Sequence, residues 1–119
     1  MAGWGEVCEI AAALPSAEAG KTFGNAAWKL RGKPVVWERP LRARDLAELG
    51  DAAPTGPVIG VRVADEGEKL ALIAEDPAVF FTTSHFDGHP SILVALERID
   101  AARLVELVLS AWAARGGVS

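Results

Sequence analysis

The sequence predicts an α+β fold, a two-layer sandwich with helices packed on one face of a mostly antiparallel sheet. Three observations carry this. Apolar residues recur at helical spacing near both ends, and Leu104, Leu107, Val108, Ala111 and Trp112 form the clearest stripe. Period-two alternation marks extended runs at 58–63 and 91–97. Between residues 21 and 44, two further runs meet at Arg31-Gly32-Lys33. That is a hairpin signal, unlike the strict strand–helix–strand alternation of a parallel sheet.

Residues 4–14 read as a helix, because Trp4, Val7, Ala11 and Leu14 share a stripe and Pro15 ends it. Cys8 sits near that stripe as a small core residue; Glu6 and Glu9 are the wrong neighbours for a reactive thiolate. Residues 16–21 read as a loop, and Gly20 and Gly24 bracket entry to the hairpin. Phe23, Ala26, Trp28 and Leu30 are expected on one face of its first run, with Lys29 and Arg31 on the other. Gly32 supplies the positive φ of a tight turn. Beyond it, Val35 and Trp37 are expected to alternate with Val36 and Glu38. Pro34 has no N–H to donate, so the strand begins there or lies at an edge.

Arg39-Pro40 closes the hairpin, and residues 42–49 read as a short helix with Gly50 as its stop. A Pro/Gly/Ala connector, 51–57, leads to the strand at 58–63. Asp65 caps a second main helix to about Glu75, with Leu70, Ile73 and Ala74 as its buried side. Residues 79–82 are a short β-prone run, 84–90 a turn-rich loop and 91–97 the last strand. Asp100 caps the closing helix, 101–114, which Gly116-Gly117 ends.

A chain of 119 residues fits one domain, 1–119, and buries enough surface for a core without metal or disulfide staples. No apolar run approaches the ~20 residues of a membrane helix. The first residues lack the basic and apolar regions of a signal peptide, and Cys8 stands alone. These features point to a cytoplasmic protein with no membrane partner.

Charge is distributed unevenly. Residues 21–44 hold seven cations, Lys21, Lys29, Arg31, Lys33, Arg39, Arg42 and Arg44, against Glu38 alone, a net +6. The whole chain carries −4, which leaves −10 for the remainder. Such asymmetry describes an anion-facing surface on an acidic body. Lys29, Arg31 and Lys33 would form the tip of a wing, extended by Arg39, Arg42 and Arg44, with phosphates as the contacts. An acidic protein partner or a small ligand is the alternative for the same patch.

Four stretches resemble the MmcQ/YjbR-like proteins, whose fold is shared with the CyaY/frataxin group. They are Ala13-Leu14-Pro15, Trp28 to Lys33, Ala74-Glu75-Asp76-Pro77 running into Phe80 to Thr83, and His85 to Pro90 followed by Ile92-Leu93-Val94. The resemblance implies a single YjbR/CyaY-like domain and, from its two-wing arrangement, a DNA-binding protein; the lack of catalytic motifs adds the expectation that it is not an enzyme. Residues 39–57 read as an elaboration of the shorter family core, and His89 replaces the aromatic expected in the Gly-X-Pro turn. No nucleophile elbow, phosphate-binding glycine loop or zinc spacing is present, so no catalytic residue and no cofactor are predicted. His85, Asp87 and His89 are the only metal-like cluster, and Gly88 and Pro90 place them in a turn, so they are not assigned as ligands.

Overall fold

The computed structural model describes residues 3–117. Helix α1 (Trp4–Ala12) is followed by strands β1 (Ala17–Thr22), β2 (Asn25–Leu30) and β3 (Lys33–Glu38). Helix α2 (Ala43–Leu49), strand β4 (Val58–Arg62) and helix α3 (Glu66–Glu75) come next. Strands β5 (Phe80–Phe81) and β6 (Ser91–Ala95) and helix α4 (Ala101–Ala114) complete the chain. The strands form one antiparallel sheet in the order β1-β2-β3-β4-β6-β5. The α+β class expected from the sequence is therefore the observed one, and α1, α3 and α4 pack on a single face.

That inner face is built from rows of cross-strand partners. Ala19, Trp28, Val36, Val61 and Ile92 form one row, each directly opposite the next. Val36, Val61 and Ile92 are fully buried beneath Leu104, Leu107, Val108 and Ala111 of α4 and Val7 of α1. The closing helix keeps the boundaries its pattern gives, because Asp100 accepts a hydrogen bond from the Ala102 N–H (3.3 Å). Asp65 caps α3 in the same way, through the Glu68 N–H (2.9 Å).

Four local expectations are corrected. Residues 17–22 are not a loop but the edge strand β1, whose residues are mostly exposed. Phe23 belongs to no strand face. It occupies the two-residue turn between β1 and β2 with φ 50°, followed by Gly24 at φ 80°. Val35 and Val36 do not alternate, because the register slips between Trp28 and Lys29 and leaves one extra residue on β3. This bulge turns both valines into the core. On α3, Leu70 and Ala74 are exposed, Ile73 is half-buried, and Lys69 is buried with Leu72.

Candidate nucleic-acid interface

The outer face of the sheet carries its own row: Gly20, Ala27, Trp37, Gly60, Leu93 and Phe81, one from each strand. The row alternates bulk with its absence. Trp37 lies across Gly60, and a methyl group at Gly60 would come within 3.0 Å of three indole atoms. Only glycine lets the indole lie flat there, and the ring is buried as the floor of a groove.

One wall of the groove is the loop 84–90, which three side chains hold in place. Lys69 reaches from α3 with a fully buried stem and donates to the carbonyls of Phe86 (2.7 Å) and His89 (3.1 Å). Glu48 of α2 accepts from the Ser84 N–H (2.9 Å) and hydroxyl (2.6 Å). Arg39 lies over the Phe86 ring, 5.3 Å from its centre. The ring of His85 meets that of Phe86 edge-on at 4.9 Å.

Three adjoining hollows make up the groove. The largest, about 410 Å³, is lined by Thr22, Phe23, Pro34, Trp37, Arg62, His85, Phe86, His89, Pro90, Ser91 and Arg115. The second shares Phe23, Trp37, His85 and Phe86 with it and adds Asn25, Arg39 and Arg42. The third adds Arg44 and Asp45. Among the described residues lining the three, Asp45 carries the only carboxylate. It is already committed, since it accepts from Arg39 Nη1 (3.1 Å) and from the Arg42 N–H (2.9 Å). Burial alone would raise its pKa. The Arg42 N–H, the Arg39 guanidinium and the nearby Thr83 hydroxyl outweigh that and hold it below the usual carboxylate range. The Thr83 hydroxyl itself is buried and falls short of a hydrogen bond.

The cations predicted as one patch therefore separate. Arg42 and Arg44 line the groove and are exposed. Arg39 lies beneath it, 7% exposed and paired with Asp45, so it is corrected from a phosphate contact to an internal anchor. Lys29 and Lys33 do not share a hairpin face. Lys33 is opposite the inward Leu30, whereas Lys29 is opposite Pro34 on the outer side and has Glu18 as its other cross-strand partner. Neither lines a hollow of the groove. Arg31 sits in a left-handed turn at φ 53° beside Gly116, next to Arg115.

Two groove cations lie in the acidic remainder and were not found from sequence. The Arg62 Nε donates to the Val63 carbonyl (2.9 Å), and the Arg115 Nε donates to the Pro34 carbonyl (2.7 Å). Among the described residues neither has an acidic partner within 4.0 Å. Burial, and then the charge of Arg62, lower the pKa of Arg115. Among the described residues, no three His, Cys, Asp or Glu side chains converge as a metal site requires. None of the described helices is long and apolar enough to cross a membrane.

Fold and groove define an α+β protein with a cationic, aromatic-lined cleft on the open face of its sheet. The chain belongs to the same family as uncharacterised protein Rv2570 of Mycobacterium tuberculosis (strain H37Rv) and uncharacterised protein Mb2600 of Mycobacterium bovis (strain AF2122/97). Each is 46% identical over 115 residues, covering 94% of this chain and 87% of the relative. No family model matches the chain. No solved structure matches it either.

Proposed function

We propose that this is a non-enzymatic, cytoplasmic nucleic-acid-binding protein of the MmcQ/YjbR-like kind, which engages DNA weakly and with little sequence selectivity. The supporting observation is the groove itself. Arg42, Arg44, Arg62 and Arg115 line it, and its one carboxylate is already held by Arg39. In a chain of net −4, that concentration of unpaired guanidinium is where a polyanion would be drawn. The contact surface in this reading is the outer face, not the hairpin tip.

Fluorescence anisotropy with random duplex and single-stranded DNA over a salt series tests it. Four phosphate contacts give a slope of roughly −3.6 in log K against log salt on duplex, at about −0.9 per contact. Arg42→Glu and Arg44→Glu should abolish binding, while Lys29→Glu and Lys33→Glu should weaken it only slightly. Absence of binding to either DNA at low salt would refute the reading, as would equal losses from all four variants.

A further inference from the structure

Arg62 and Arg115 present an unusual arrangement. Two guanidiniums line one hollow, partly buried, and among the described residues neither has an acidic partner within 4.0 Å. Each is fixed through Nε to a backbone carbonyl, from Val63 and Pro34 respectively. That uses one of five N–H donors per side chain and leaves the terminal nitrogens available for a planar, multidentate acceptor. Structural arginines ordinarily spend their charge on a neighbouring carboxylate, as Arg39 and Arg103 do here. Both arginines line the same 410 Å³ hollow, a volume within the range of small-molecule sites.

Aromatic side chains line the same hollow. Phe23 is 87% exposed and stands in a left-handed conformation, φ 50°. A bulky L-residue there costs about 1 kcal/mol more than glycine, and two-residue turns of this kind favour Asn in that place. The chain therefore carries backbone strain and an exposed ring at one position, a combination that collects at ligand sites. Trp37 forms the floor of the hollow, with His85 and His89 on the loop wall.

We propose that this hollow binds a nucleoside monophosphate, its phosphate held by Arg62 and Arg115 and its base against Phe23. The ligand is either a free mononucleotide or the 5′-phosphorylated end of a single strand. The proposal uses the groove of the preceding reading but not its conclusion that the backbone of DNA is what the groove holds.

Calorimetry with AMP, adenosine, inorganic phosphate and a hexanucleotide with or without a 5′-phosphate tests it. AMP should bind at least tenfold more tightly than adenosine or phosphate alone, because each supplies half of the contacts. Preference for the phosphorylated hexanucleotide over AMP assigns the strand end, and the reverse assigns the free nucleotide. Arg62→Gln and Arg115→Gln should each weaken AMP at least tenfold. Phe23→Asn relieves the strained turn, so it should raise thermal stability while weakening AMP severalfold; this variant keeps the test valid if an arginine variant misfolds. Millimolar AMP without heat, or AMP affinity unchanged in Phe23→Asn and in a folded arginine variant, overturns the proposal. Binding to random DNA without AMP binding would sink this inference alone, and AMP binding without binding to duplex or single-stranded random DNA would sink the preceding one alone.

Discussion

Replacing Gly60 by alanine is the sharpest test of how the outer face is built. Gly60 is buried, and the backbone there is not in the left-handed region, so the substitution introduces no backbone strain. What it introduces is a methyl group inside 3.0 Å of three atoms of the Trp37 indole, where carbon contacts are optimal at about 3.5–4.0 Å. The indole is rigid and cannot flex one atom out of the way. Directly opposite on β2, Trp37 has Ala27, which is itself buried, so the ring must move outward by about an ångström. Overpacking of this kind costs about 1–3 kcal/mol, and a rigid ring met at three atoms belongs at the upper end. With an unfolding entropy of ~2.1 cal/mol/K per residue, about 3 kcal/mol lowers Tm by roughly 12 °C. Thermal denaturation followed by near-UV circular dichroism measures both the shift and the altered tryptophan environment. Gly20→Ala, in the same cross-strand row, meets only the Lys29 stem at 3.7 Å and should leave Tm within ~2 °C. Gly60→Ala combined with Trp37→Leu should recover part of the loss that the two single changes would add up to. A Gly60→Ala protein as stable as Gly20→Ala would show that Trp37 does not lie where the groove requires it.

Three further outcomes follow from the groove's supports. Lys69→Met keeps the buried stem but loses both bonds to the loop; relief of ammonium burial should hold the net change in stability to about 1–2 kcal/mol. Amide exchange at His89, which donates to Phe86, should nevertheless accelerate at least tenfold by mass-resolved hydrogen exchange, and unchanged protection would remove the strap. Arg39→Met leaves Asp45 as an unpaired buried carboxylate and should cost about 3 kcal/mol in urea denaturation, far more than an exposed arginine would. Asp45 has its pKa lowered in the folded state, so its stabilising contribution is complete above the ordinary carboxylate value and is lost as pH falls through the lower folded value. Acid titration of wild type against Asp45→Asn should therefore show a steeper loss below about pH 4 in wild type, and parallel curves would contradict the assignment.

Local patterns in the sequence were legible where the physics is local. The 101–114 helix and both aspartate caps depend on side chains within one turn, and each was readable. Strand β1 was not, because Ala-Glu-Ala-Gly-Lys-Thr lacks β-branched residues before Thr22 and its one strand partner is β2. The bulge at Val35 follows from register across two strands and leaves no mark in the order of residues. Hydrophobicity alone assigns Leu70 to the core. The buried place goes to Lys69, because its stem packs like an aliphatic residue and its ammonium finds two loop carbonyls far along the chain.

The same limit governs the site. Counting charge along the chain finds contiguous cations, and it found +6 in residues 21–44. Folding disperses that count: one arginine goes inside, one lysine turns to each face, and two arginines reach the groove. Charge density in sequence is thus a poor guide to charge density in space when the stretch is a hairpin, because alternation sends neighbours to opposite sides. Arg62 and Arg115 give the opposite case. Each is surrounded in sequence by unremarkable residues, yet the end of β4 and the residue after α4 bring them to one hollow, with no acidic partner within 4.0 Å among the described residues. A folded protein holding 16 carboxylates could have placed one there by a single substitution. Leaving the pair open sacrifices a stabilising contact, and the exposed Phe23 in its strained turn is a second local sacrifice on the rim of the same hollow. Two independent departures from the most stable choice, converging on one cleft, are the physical reason to look for a ligand on this face and not at the hairpin tip.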